Sequence, residues 1–282
     1  MSSGLVINVP SKFNRVLTDL SFIPDAQSNA LAYIGLFGGD ESSSTTNTAM
    51  EPVKINITGI ATRTPGKINY DMGFISFTGP GIDTTEATGV LASVALSSID
   101  KVGFPGTMAC SFRKIRKVKE DKRRLYPFVS FMYNKTLVSG NPLLCIAACI
   151  LDTGEHRISA LSGGLPSAGN DALASKCSVP IDFSKTDELI TAAVSRSADG
   201  TVMLAVKHGN DRVLTAEAVY NPTTDPNNPA NTEAQILFGS ANSRTVDSGD
   251  IMMGQYWQNT AMTMLELEQQ VELTHMKAQA RL

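Results

Sequence analysis

Asp187 to Gly209 reads DELITAAVSRSADGTVMLAVKHG, and the reading of this stretch decides the fold. Leu189 to Val194 is a β-rich run, Ser197-Ala198-Asp199-Gly200 is a turn signal, and Thr201 to Val206 is a second run. Together they predict a hairpin, with Asp199 and Gly200 suited to positive φ at the connection. Side chains alternate along a strand, so Val202, Leu204 and Val206 share one face. The first run is apolar or small on both faces, as a central strand of a sandwich is. Further strands are predicted around Val213 and from Ile236 to Gly239. This cadence of short strands and turns predicts a mainly β chain.

The same cadence extends outward in both directions. Upstream, Val53, Ile55 and Ile57 alternate with Lys54 and Asn56. Met72 to Phe77 is strongly strand-forming and is ended by Gly79-Pro80-Gly81. Gly89 to Leu96 reads as a strand or a short helix. Thr107 to Phe112 reads as a strand with Met108, Cys110 and Phe112 on one side. Phe128 to Tyr133, Leu143 to Leu151, Arg157 to Leu161 and Val179 to Phe183 complete the series before the hairpin. Downstream, Ile251 to Trp257 is the last strong strand. The period then changes. Thr263 as N-cap and Glu266 three residues on form a capping box, and Met264, Leu267 and Val271 recur at helical spacing. An amphipathic helix is predicted from Met264 to about Ala278, packed on the sheet or on a partner chain.

Residues 1 to 52 are set apart as an N-terminal segment, and residues 53 to 282 as the β-sandwich with its helix. The segment is either an attachment arm for a neighbouring chain or a lead-in that completes the main domain. Leu5 to Pro10 is a candidate edge strand, Ala30 to Phe37 is apolar, and the Ser/Thr tract from Ser42 to Thr48 reads as a mobile loop.

Composition narrows the function classes. The 282 residues, 42% of them hydrophobic, suffice for a sizeable core, and a net charge of -3 disfavours nucleic acid as a partner. No basic start followed by an apolar stretch marks a leader, and no apolar run reaches the ~18 residues of a membrane span. Cys110, Cys145, Cys149 and Cys177 are irregularly spaced; they read as buried thiols, with a pairing through Cys110 or Cys177, or a metal site, as alternatives. Arg113 to Arg124 holds eight basic residues and two acidic ones. It reads as a solvated loop or subunit contact, against an anionic glycan or lipid headgroup site, or nucleic acid. Asp247-Ser248-Gly249-Asp250 reads as turn chemistry, against metal binding. His156, His208 and His275 are far apart and read as lone surface or turn histidines. No alternating-acid strand motif of a glycosidase, no nucleophile beside a histidine and no phosphate loop is present. These absences predict a chain that is not an enzyme, with no metal and no cofactor.

From the hairpin to the C-terminus the chain resembles the concanavalin-like, laminin-G-like jelly-roll domains. Three stretches carry the likeness: Glu188 to Val206 with its Asp199-Gly200 turn; Ile236-Leu237-Phe238-Gly239-Ser240; and Gly249-Asp250-Ile251 through Trp257 to Leu267. Tyr70 to Thr78 and Thr107 to Lys114 extend it, so that it covers residues 55 to 275. Where the family ends the second hairpin strand in aspartate-glycine, this chain has His208-Gly209. The resemblance implies a concanavalin-like jelly-roll sandwich of the kind found in bacteriophage tail, fibre or baseplate proteins. The implied role is a non-enzymatic structural part of a virion, made in the host cytoplasm. It would be a homo-oligomer, trimer favoured, beside neighbouring virion proteins, and a host surface glycan is a further partner it implies. The alternative is a glycoside hydrolase or other polysaccharide-acting enzyme on the same fold. For a glycan, Tyr256 and Trp257 are the candidate stacking aromatics. Asn227 and Asn228 in the proline- and asparagine-rich stretch from Tyr220 to Glu233, with Gln258 and Asn259, are the candidate hydrogen-bonding groups.

Overall fold

The computed structural model describes residues 25–44, 46–49, 57–61, 67–78, 93–96, 105–116, 125–133, 144–151, 153–162, 175–185, 187–220, 234–238 and 248–282. In chain order the strands are β1 (Leu31–Leu36), β2 (Ile57–Ala61), β3 (Lys67–Asp71), β4 (Phe74–Thr78) and β5 (Ser93–Leu96). Then follow β6 (Gly106–Arg116), β7 (Leu125–Tyr133), β8 (Leu144–Ile150), β9 (His156–Ser162) and β10 (Ser178–Pro180). The series ends with β11 (Ile190–Arg196), β12 (Thr201–His208), β13 (Leu214–Val219), β14 (Ala234–Phe238) and β15 (Ser248–Gln258). The helices named below are α1 (Glu41–Ser44) and α2 (Met264–Gln279).

The strands form two antiparallel layers, a jelly-roll-like sandwich with α2 on its outer side. The larger sheet has eight strands in the order β13-β12-β11-β6-β15-β4-β3, with β1 also paired to β15. The smaller sheet has five, β10-β9-β8-β7-β14, and β2 pairs β5 apart from both. Alternation along each strand fills the space between the layers. Met108, Cys110 and Phe112 of β6, Ala192 and Val194 of β11, and Val202, Leu204 and Val206 of β12 face Leu144, Ile146, Ile158, Ala160, Ile236 and Phe238 of the smaller sheet. Gly35 and Gly254 sit opposite one another on β1 and β15. A Cβ on Gly254 would lie 2.6 Å from the Phe238 ring, so glycine lets that ring approach the sheet.

The hairpin forms as its sequence predicts, with Ala193 opposite Ala205. Only Gly200 takes positive φ at the turn, at 92°. Asp199 instead uses its carboxylate, accepting from the Ser197 hydroxyl and the Thr201 N–H. The capping box of α2 is present in full: Glu266 N–H donates to Thr263 Oγ1, and Thr263 N–H donates to Glu266 Oε2 at 2.9 Å. Leu267, Val271 and Ala278 point into the sheet, whereas Leu265 and Met276 face solvent.

Four local expectations need correction. The Ser/Thr tract is ordered by side-chain capping. Asp40 Oδ1 accepts from Ser43 N–H, closing α1, and Asn47 reaches β1 by accepting from Ile34 N–H and donating to the Ala32 carbonyl. Asn47 thus supplies the hydrogen bonds of a missing neighbouring strand. Met72 lies at the tip of a hairpin rather than in a strand, because Gly73 at φ 85° permits a two-residue connection between β3 and β4. Ser248 to Asp250 open β15 instead of forming a turn. Two histidines are interior: His208 bonds the Lys185 carbonyl at 3.0 Å, and His275 lies on the sheet-facing side of α2. His156 packs its ring on Phe183.

The described part of the N-terminal segment is built into the sandwich through β1; Leu5 to Pro10 lies outside the described residues, as does the stretch 221–233.

Candidate functional site

The outer face of the larger sheet is divided between a helix and a polar row. α2 covers its middle. Ala109, Ala193 and Ala205 sit side by side across β6, β11 and β12, and their small side chains leave room for the helix. Thr107 and Ser195 anchor the start of α2, with Ser195 Oγ accepting from Met262 N–H at 2.8 Å. Further along, Ser111 and Thr191 share a hydroxyl contact of 2.8 Å, and Thr191 Oγ1 meets His275 Nδ1 at 3.1 Å. This hydroxyl–hydroxyl–imidazole chain has the members of a nucleophile relay. All three groups are sealed under α2, so it serves packing.

Beyond the C-terminal turn of α2 the face carries polar residues, exposed at Asn69 and Asp71 and buried at Asp250. Register places Asn69 of β3 opposite Ser76 of β4, Ser76 opposite Asp250 of β15, and Asp250 opposite Arg113 of β6. Each alternates with a core residue (Ile68, Ile75, Ile251 and Phe112), so all four project outward. Asp250 Oδ1 accepts from Ser76 Oγ at 2.8 Å, and Asp250 Oδ2 accepts from Arg113 Nε at 3.0 Å. Ser76 Oγ also lies 3.3 Å from Asp71 Oδ2, so the one hydroxyl sits between two carboxylates and donates to either in turn. The Arg113 guanidinium stacks on Phe74, 4.7 Å from the ring centroid.

A β-bulge shapes the end of the row. The β6–β15 register shifts between Ser248 and Asp250, and Lys114 takes a left-handed φ of 53°. Consecutive strand residues ordinarily point to opposite faces; the bulge turns Lys114 back, so that its Nζ comes within 3.8 Å of the carboxylate that Arg113 already holds. Asp250 is nearly enclosed at 8% side-chain exposure, Arg113 is at 17% and Lys114 at 41%.

Of the residues expected to meet a glycan, the two described aromatics are buried. Tyr256 is 1% exposed in the core between the sheets. Trp257 is fully buried beneath α2 and donates from Nε1 to the Ala26 carbonyl at 2.8 Å. Neither ring offers a free face. Gln258 and Asn259 end β15 at the surface, Asn259 with φ 52°. Asn227 and Asn228 lie outside the described residues. The polar row was missed because its members are unremarkable one by one. The available signal was a polar residue at an outward position in each of four strands: Asn69, Ser76, Asp250 and Arg113. Among the described residues, no group of three or more His, Cys, Asp or Glu side chains is placed to hold a metal ion, and no helix is long and apolar enough to cross a membrane.

No family model matches the chain, and no curated protein does. Solved structures do. Trypanosoma rangeli sialidase in complex with sialic acid matches 87% of this chain with a TM-score of 0.51 at 11% identity. A mutant of the same sialidase displaying trans-sialidase activity matches 88% with a TM-score of 0.50 at 10% identity. The exoplasmic/lumenal domain of VIP36, in a Ca2+/Man2-bound form, matches 83% of this chain and 92% of its own length, at 12% identity and a TM-score of 0.44. The chain spans about a third of the length of the sialidase chains it matches, 33% and 34%. At these identities the likeness is one of fold, and the fold is a lectin-like, jelly-roll β-sandwich related to one found in sialidase chains. This corrects the expected role. The solved structures that share the fold are named as sialidases and not as virion parts, so the anticipated non-enzymatic virion component is not carried forward.

Proposed function

We propose that the chain acts on carbohydrate. The row Asn69–Ser76–Asp250–Arg113 holds a sugar, and Asp71 with Asp250 forms the carboxylate pair for a glycosidic bond. The observation that carries this reading is the placing of two carboxylates, Asp71 and Asp250, on either side of the Ser76 hydroxyl on the outer face. Glycoside cleavage by paired carboxylates needs them about 5–9.5 Å apart, and Asp71 and Asp250 lie near enough to reach the same hydroxyl. Asp71 is exposed, and Asp250 is fixed by Ser76, Arg113 and Lys114. The fold shared with the sialidases supports carbohydrate as the substrate class.

The test offers a panel of oligosaccharides to the full chain and follows both binding and release of new reducing ends. Turnover is expected, falling about a hundredfold or more in Asp71→Asn and in Asp250→Asn while circular dichroism shows the fold retained. A wild-type chain that neither binds nor cleaves any member of the panel overturns the reading.

A further inference from the structure

We infer that the open edge of β13 docks a second copy of this chain, the two β13 strands pairing antiparallel about a two-fold axis.

β13 ends the larger sheet, with β12 on one side and no described strand on the other. Tyr220 N–H donates to the Gly200 carbonyl at 2.9 Å, on the β12 side. Peptide groups point to alternate sides of a strand, so Ala218, Ala216 and Leu214 also face β12, while Thr215, Glu217 and Val219 turn their N–H and C=O groups outward. All three of these residues are exposed, Val219 at 61%. Other edges are closed off. On β1, Asn47 accepts from Ile34 N–H and donates to the Ala32 carbonyl, and Thr48 N–H donates to the Ile34 carbonyl at 2.9 Å. At the end of β3, the Asp71 carbonyl accepts from Gly39 N–H at 2.7 Å. β10, which ends the smaller sheet, is short and finishes in Pro180, which has no N–H. β13 has no such device: it holds no proline and no lysine, and its pairing with β12 has no bulge.

The occupant follows from the register. Outward peptide groups pair only with outward ones, so a central two-fold falls on Glu217 or on Ala216. On Glu217 it sets two like charges against each other. On Ala216 it sets Thr215 opposite the partner's Glu217, Val213 opposite the partner's Val219 and Leu214 opposite the partner's Ala218. Ala216 then meets itself at a closely spaced position, where a methyl fits. The exposed valine gains an apolar neighbour, the acid gains a hydroxyl, and no charge meets its like. Leu214, Ala216 and Ala218 pack on the core, so the apolar inner face continues across the join. β13 is thus complementary to its own reverse, which favours a second copy over an unrelated strand. The axis stands perpendicular to the sheet, so both outer faces, each with its α2 and its polar row, look the same way. One strand edge buries less than the roughly 800 Å² per partner of a standard interface, so the dimer is a weak one.

The experiment is sedimentation equilibrium of the full chain from about 1 to 300 µM, with a reversible dimer expected at a Kd of about 10–100 µM. Thr215→Lys sets an ammonium opposite the partner's Glu217 at two symmetry-related places and should tighten the dimer about fivefold; Thr215→Glu should weaken it about as much. Glu217→Pro removes an outward N–H, leaves the β12 ladder intact and should abolish the dimer, a thermal melt confirming the fold. Hydrogen exchange gives the location: the amides of Thr215, Glu217 and Val219 should slow as the dimer forms. A chain that is monomeric throughout overturns the inference. So does an oligomer that all three substitutions leave unchanged. Slow exchange of those three amides in the monomer shows an edge already covered from within the chain, and overturns it as well.

Discussion

At the scale of single residues, His275 is the group most sensitive to its surroundings. It is buried between α2 and the larger sheet, with Thr191 on Nδ1. Burial pushes its pKa from the ordinary 6.5 down to about 4; Lys207 and His208 add to the shift, and Glu272 and a hydrogen bond to the Gly209 backbone oppose it. The folded state therefore takes up this proton less readily than the unfolded chain. The stability it contributes is complete above about pH 6.5 and is lost as the pH falls toward 4. Denaturant unfolding at pH 7 and pH 4.5 should show a loss on the order of 1–3 kcal/mol in the wild type that His275→Gln does not share. Equal acid sensitivity in the two proteins would place the effect elsewhere.

At the scale of elements, the seat of α2 depends on smallness as much as on apolar character. The cross-strand alanines 109, 193 and 205 allow the helix to lie close to the sheet, and Trp257, Leu267 and Val271 fill the space beside them. Ala193→Leu should force the helix outward and cost about 1–3 kcal/mol. Hydrogen exchange should localise the damage: faster exchange along α2, with β8 and β9 unchanged. The elements themselves were largely legible. The hairpin and the helix each announced their ends with local chemistry, a Ser-Ala-Asp-Gly turn and a Thr263–Glu266 box, and local chemistry is what a linear sequence records. The Ser/Thr tract was misread because its order comes from Asn47 bonding a strand thirteen and fifteen residues back. The site was illegible for the same reason on a larger scale. Arg113 and Asp250 are 137 residues apart, and Ser76 and Asp250 are 174. Only the strand order, with β15 between β4 and β6, makes them neighbours. Trp257, which the sequence offered as a sugar platform, belongs to the helix seat, since an outward position on a strand is exposed only where no helix lies over it.

At the scale of the whole molecule, the core is closed without covalent links. Cys110, Cys145, Cys149 and Cys177 are all free and buried. Burial raises the thiols of Cys110 and Cys145 strongly, and pushes Cys177 up to about 12. Reaction needs the thiolate, so iodoacetamide should label none of the four in the native protein and all four in denaturant, with thermal stability indifferent to reductant. Labelling of a native thiol would show that its layer opens. The strand order has a consequence for how such a chain comes into being. β15 is the shared partner of β1, β4 and β6, yet it is synthesised long after all three. Until residues 248 to 258 have left the ribosome, those strands keep unsatisfied edges, and the large sheet has a gap at its centre. Closing that gap joins segments separated by most of the chain, which makes assembly intrinsically slow. A nascent or truncated chain that lacks this one strand thus presents several sticky edges at once.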